Sequence, residues 1–144
     1  MRQSKETIQI GQLELRFLLD GDDTNMELVM FEFVIPAGAK VPIPHYHRDV
    51  DEVIYGLEGI TTTTIDGKKV EINAGDRLFI PRGAVHYHDN DTQQIAKSLI
   101  IMTPASIGPA YFREMSELIK PGIPPNPKQA GEVMVRYGLI PVAP

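Results

Sequence analysis

All four histidines of the chain stand in two tripeptides, His45-Tyr46-His47 and His86-Tyr87-His88, and Glu52 follows His47 by five residues. Histidine is the commonest metal ligand among side chains, and alternate residues of a strand face the same side. Each His-x-His pair can therefore offer two imidazoles to one ion. Two residues of strand rise span roughly 6.5 Å, a distance from which ring nitrogens converge when the rings lean inward. A carboxylate and a third imidazole from elsewhere would complete a mixed nitrogen and oxygen shell suited to iron, manganese, nickel, copper, cobalt or zinc.

The elements that must position these residues read as short strands through the first two-thirds of the chain, where helix signals are missing. Leu13 to Leu19 and Glu27 to Ile35 are rich in apolar, aromatic and β-branched residues, and Pro36-Ala37-Gly38 stops the second run. Thr61 to Ile65 and Lys68 to Ile72 flank Asp66-Gly67, a dipeptide suited to a type I′ hairpin turn because both positions need positive φ. Leu78-Phe79-Ile80 reads as a compact buried strand ended by Pro81-Arg82-Gly83, and Ala96 to Met102 as one more. Many short strands at regular spacing indicate a sandwich or barrel. Met26, Leu28 and Met30 alternate as a stripe expected to form cavity wall or core.

The character changes at Pro104. Apolar residues at Tyr111, Met115 and Leu118 to Ile119 predict a helix from Pro109 to Lys120, ended by Pro121-Gly122. A second helix is expected from Pro127 to Tyr137, with Asn126 as N-cap and Gly138 as its stop. The proline-rich Pro121 to Pro127 reads as a connector, since the segment beyond it is too short to fold alone. The expected organisation is a single domain, with a barrel over residues 1–103 and a helical extension over 104–144 packed on it, either capping a cavity or padding a sheet.

A chain of 144 residues with a net charge of -5 and no Lys/Arg cluster points away from nucleic acid. Without cysteine, disulfides, thiolate catalysis and cysteine-ligated metals are excluded. No signal-like run follows Met1 and no stretch is apolar enough to span a bilayer, so no membrane partner and a cytoplasmic location are expected.

Two motifs carry a family resemblance. Gly38, His45-x-His47, four residues, Glu52, six residues and Gly59 resemble the first cupin motif, with one extra residue before the first histidine. Gly75, five residues, Pro81-x-Gly83, two residues, His86, three residues and Asn90 match the second, and fifteen residues separate the two. The chain is thus similar to small bacterial single-domain cupins over roughly residues 28–102, including the quercetin dioxygenase-like members. The resemblance implies an all-β double-stranded β-helix, or jelly-roll barrel, with a short C-terminal α-helical extension. It also implies one divalent transition metal ion per chain, held by His45, His47, Glu52 and His86, and a homodimer, to which Thr7 to Leu19 is a candidate to cross. Strand parity puts Glu52 on the opposite face from His47, so Arg48 to Asp51 must hold a bend or bulge.

The function this implies is a metal-dependent dioxygenase acting on a small enol- or phenol-like molecule. The alternatives are a metal-dependent isomerase, lyase or hydrolase without redox chemistry, and a small-molecule binding protein without turnover. His88, two residues from His86, should point into the same cavity, where it either moves a proton in catalysis or replaces an aromatic as packing. Asp49, Asp51 and Glu58 read as solvated turn charges, and Tyr46 and Tyr87 should face away from the metal.

Overall fold

The computed structural model describes residues 4–41 and 43–143. Its strands are β1 (Glu6–Ile10), β2 (Leu13–Leu19), β3 (Val29–Ile35), β4 (His45–His47), β5 (Asp51–Glu58), β6 (Thr61–Ile65), β7 (Lys68–Ile72), β8 (Arg77–Ile80), β9 (His86–Asp89) and β10 (Ala96–Thr103). Helices α1 (Pro109–Leu118) and α2 (Pro127–Arg136) come next, and β11 (Leu139–Pro141) closes the fold. Two antiparallel sheets face each other as a jelly roll, one of six strands ordered β1-β2-β3-β10-β5-β8, the other of five ordered β11-β4-β9-β6-β7. No described helix is long and apolar enough to cross a membrane.

Alternation explains which face of the six-stranded sheet turns inward. Leu13, Leu15 and Phe17 of β2, Val29, Phe31, Phe33 and Ile35 of β3, and Ile100 and Met102 of β10 are buried at two-residue spacing. The expected Met26, Leu28 and Met30 stripe has the wrong parity for this face. Met26 lies 56% exposed in the turn before β3, and the strand begins only at Val29. The expectation of a buried Leu78-Phe79-Ile80 strand is also corrected. β8 is a sheet edge with one covered face, so Ile80 is buried while Phe79 is 57% exposed.

Turn chemistry agrees closely with the sequence. Asp66 and Gly67 take φ of 47° and 82°, the positive pair a type I′ turn requires, and Ile65 pairs directly with Lys68. Asn126 caps α2 by accepting from the backbone N–H groups of Lys128 and Gln129.

The extension closes onto the barrel. Phe112 of α1 meets Phe17 and Phe31 of the sheet, with ring centroids 5.7 and 5.5 Å apart. The backbone N–H of Gly11 donates to the carbonyl oxygen of Ile119 at 3.0 Å, and Arg113 pairs with Glu6 at 2.6 Å. β11, which the sequence pattern does not announce, lengthens the five-stranded sheet by pairing Leu139 with His47 and Pro141 with His45. Thr7 to Leu19 pairs within its own chain, as the β1–β2 hairpin on β3, because Glu6 to Ile10 and Leu13 to Phe17 form a continuous ladder and β2 then registers on β3.

Candidate metal centre

Three of the imidazoles come from two neighbouring strands. His45 of β4 lies directly opposite His86 of β9, with ring centroids 4.8 Å apart, and His47 stands on the same face of β4. Glu52 arrives from the other sheet. The chain bends at Arg48 and Asp49 and leaves the five-stranded sheet, so Glu52 enters as the second residue of β5, between Ile80 and Met102. Strand parity requires a bend here, and that bend is the crossing between sheets.

Local hydrogen bonds fix how the rings present themselves. Nδ1 of His45 lies 2.8 Å from the carbonyl oxygen of Ile43, and Nδ1 of His86 lies 3.0 Å from that of Ala84. A carbonyl oxygen only accepts, so each Nδ1 carries a proton, and in the neutral ring Nε2 is the nitrogen left with a lone pair for a metal. These nitrogens converge. Nε2 of His45 is 3.2 Å from Nε2 of His47, while Oε1 of Glu52 is 3.8 Å from Nε2 of His47 and 3.5 Å from Nε2 of His86. Lone pairs and a carboxylate gathered this closely repel unless a proton or cation lies among them. The donor set therefore fits a divalent ion.

Donor atoms of His45, His47 and His86 all lie within 4.8 Å of one another, as do those of Glu52, His86 and His88. His86 belongs to both groups. His88 points into the cavity as expected, with Nε2 3.1 Å from Oε2 of Glu52 and Nδ1 2.9 Å from the hydroxyl of Thr63. Its ring also meets the Phe33 ring nearly edge-on, centroids 6.0 Å apart. Tyr46 and Tyr87 do not line the cavity. Asp49 pairs with Arg48 and Asp51 with Arg82, both at the surface.

Burial sets the charge states. Removal from water, reinforced by the neighbouring imidazoles of His86 and His47, pushes His45 down to about 3. Burial likewise pushes His47 down to about 4, although Glu52 opposes it. Burial would raise Glu52, but His86 and His88 outweigh it and hold the carboxyl well below the usual range. Burial lowers His86, and the same carboxylate outweighs that and raises it.

These shifts make the stability of the metal-free protein depend on pH. A histidine whose pKa falls on folding binds its proton more readily when unfolded, so stability drops as pH falls below about 6.5 and continues to drop towards the folded values. At pH 5, His45 and His47 should each cost about 2 kcal/mol, offset in part by His86, whose raised pKa adds stability below the ordinary histidine value. Urea unfolding of metal-free protein should show a midpoint that falls from pH 7 to pH 5, and a His45→Asn, His47→Asn double variant should lose most of that slope.

Around the polar cluster the cavity is apolar. It encloses about 700 Å³, including the part open to solvent. Leu15, Phe31, Phe33, Ile100 and Met102 of the six-stranded sheet line it, with Val41 and Ile43 from the loop before β4. The rest comes from Ile10 of β1, Leu13 of β2 and the extension, whose expected place was either over a cavity or against a sheet: Tyr111, Phe112 and Met115 of α1, Ile119 at its end, Met134 of α2 and Leu139 of β11. The helices thus close the cavity and do not pad the outside of a sheet. The i, i+4 pair Tyr111 and Met115 carried the signal of an apolar face, without saying what it covers.

The family model described as Cupin domain matches residues 31–102. The chain is 29% identical over 108 residues to the quercetin 2,3-dioxygenase of Bacillus subtilis (strain 168), a match spanning 75% of this chain and 31% of that one. Among solved structures, the polyketide cyclase RemF from Streptomyces resistomycificus aligns with a TM-score of 0.58 at 27% identity, over 72% of this chain and 70% of that one. A sugar phosphate isomerase from Silicibacter pomeroyi aligns with a TM-score of 0.56 at 26% identity, over 63% and 59%. The chain spans between 31% and 66% of the length of the curated relatives it matches.

Proposed function

The chain belongs to the cupin domain family, and on that footing we propose that it is a metal-dependent dioxygenase whose substrate is a small, largely apolar molecule with one enol or phenol group. The observation that carries this reading is the segregation of the cavity. Fifteen of its twenty lining residues are hydrophobic, and the other five are His45, His47, Glu52, His86 and His88, gathered together. No lysine, arginine, asparagine or glutamine among the described residues lines it. A phosphate, or a sugar with several hydroxyls, would leave its polar groups unpaired there, at a cost of about 1–3 kcal/mol for each. An aromatic or polyketide-like body with a single polar end would not.

His45, His47, Glu52 and His86 would hold one divalent transition metal. When bound, it would supply a Lewis acid for the ionised enol or phenol oxygen and, if redox-active, electron transfer towards dioxygen. Phe31, Phe33, Tyr111 and Phe112 would orient an aromatic body and exclude water. His88, whose Nε2 lies beside Oε2 of Glu52, would be the group that hands a proton to the reacting substrate. The same histidine favours a second reading, a lyase or isomerase in which His88 moves a proton and no oxygen is consumed.

The test loads metal-free protein separately with Fe(II), Mn(II), Ni(II) and Zn(II) and supplies flavonols, catechols and cyclic 1,3-diketones under labelled dioxygen. Products carrying two labelled oxygen atoms, formed with a redox-active metal and absent with zinc, are expected. Turnover that survives without oxygen or runs equally with zinc would select the second reading.

A further inference from the structure

Thr63 is a fully buried residue of β6 that stands outside the set of metal-facing donors. It lies directly opposite His88 in the β6–β9 ladder, and its hydroxyl is 2.9 Å from Nδ1 of that ring. On the far side of the ring, Nε2 of His88 lies 3.1 Å from Oε2 of Glu52. A carboxylate only accepts, so the atom facing it at that distance must carry a proton. In a neutral imidazole the other nitrogen is then an acceptor, and the hydroxyl of Thr63 is the donor placed to meet it.

We propose that Thr63 is a positioning residue that donates to Nδ1 of His88, keeps the ring proton on Nε2 and aims it at Oε2 of Glu52. Only Oε1 of Glu52 is then left to face His47 and His86, from which it stands 3.8 and 3.5 Å. The arrangement also separates the two overlapping groups of donors. A His88 whose Nε2 carries a proton has no lone pair to give a metal, so the centre takes His45, His47, Glu52 and His86. The reverse chain, in which Nδ1 donates to Thr63, would set the lone pair of Nε2 against those of the carboxylate. In a neutral ring that is tolerable only if His88 is itself a ligand.

The inference rests on the proposed metal centre, but its primary test does not require metal. Nitrogen-15 NMR of the metal-free protein at pH 8, with the His88 signals assigned by their loss in His88→Phe, reads the tautomer directly. The Nε2–H form is expected. An Nδ1–H or doubly protonated ring would overturn the proposal. Titration with zinc then compares Thr63→Val, which keeps the shape and removes the hydroxyl, with Thr63→Ser, which retains it. Valine should shift the His88 tautomer and weaken zinc binding about tenfold, the lower end of what outer partners of metal ligands contribute. Serine should restore both. A valine protein identical to wild type in tautomer and zinc affinity would refute the proposal. Wild-type protein that binds no zinc would refute the metal centre and leave the tautomer to decide the role of Thr63.

Discussion

Replacing His86 with alanine is expected to strip the protein of metal. Its ring is 2% exposed, its Nδ1 is fixed by the carbonyl of Ala84, and its Nε2 faces both the imidazole pair of β4 and the carboxylate of β5. Among the described residues no other belongs to both donor groups, and the one neighbouring imidazole outside the ligand set, His88, is held between the Thr63 hydroxyl and Oε2 of Glu52. Outer partners of metal ligands are worth about 10–100-fold in affinity, so a direct ligand at the centre of the cluster should be worth more than about 100-fold. Metal analysis by mass spectrometry should fall from near one ion per chain to below about a tenth. Thermal unfolding offers a second readout. An ion present at 100 times its Kd adds about 2.7 kcal/mol of stability to a protein that binds it, and the variant should show no rise in Tm on metal addition. His88→Phe, which removes an outer partner of Glu52, should weaken binding by about 10–100-fold and still load one ion per chain at saturating metal.

A stability effect of comparable size is expected far from the histidines, at Gly56. A Cβ built there would lie inside the contact distance of the Asn73 carbonyl oxygen and press on Cγ2 of Ile72 at 3.2 Å. The backbone cannot move away cheaply. Gly56 donates to the carbonyl of Asp76 at 2.8 Å and accepts from the N–H of Gly75 at 2.9 Å, which ties β5 to the turn before β8. Gly56→Ala should therefore cost at least about 3 kcal/mol, by overpacking and the loss of one or both bonds. At roughly 3 °C per kcal/mol for a domain of this size, that is a fall in Tm of about 10 °C. Gly67→Ala provides the contrast. Nothing lies within 4 Å of its Cβ position, so only the positive φ opposes the change, at about 1–2 kcal/mol. A Gly56→Ala protein that melts within about 2 °C of wild type would show that β5 and this turn are not held as described.

How much of this was legible in the sequence depends on whether a feature is local. The Asp66-Gly67 turn, the Asn126 cap and the two His-x-His pairs are each set by residues within a few positions of one another, and the structure places them as their spacing requires. Glu52 is an intermediate case. Parity showed that it could not share a strand face with His47, but not that the chain would change sheets to bring it back. Phe79 and the Met26 to Met30 stripe misled because an apolar run does not reveal which face a sheet covers, and at an edge strand or a turn an apolar side chain can stay in solvent. Long-range pairing was invisible. Three residues, Leu139 to Pro141, carry too little periodicity to announce a strand, yet they complete the sheet beside the histidines. Thr63 stands in a run of four threonines, and only its register opposite His88 distinguishes it from its neighbours.

The central claim is that side chains from two facing sheets enclose a single cation. A crystal structure of protein loaded with one redox-active metal, with anomalous diffraction collected on both sides of that metal's absorption edge, tests it most directly. One peak per chain is expected, within bonding distance of Nε2 of His45, His47 and His86 and of Oε1 of Glu52, with His88 outside bonding reach. A cavity that stays free of anomalous density under saturating metal would contradict the account, as would a peak bonded to His88 and remote from His45 and His47.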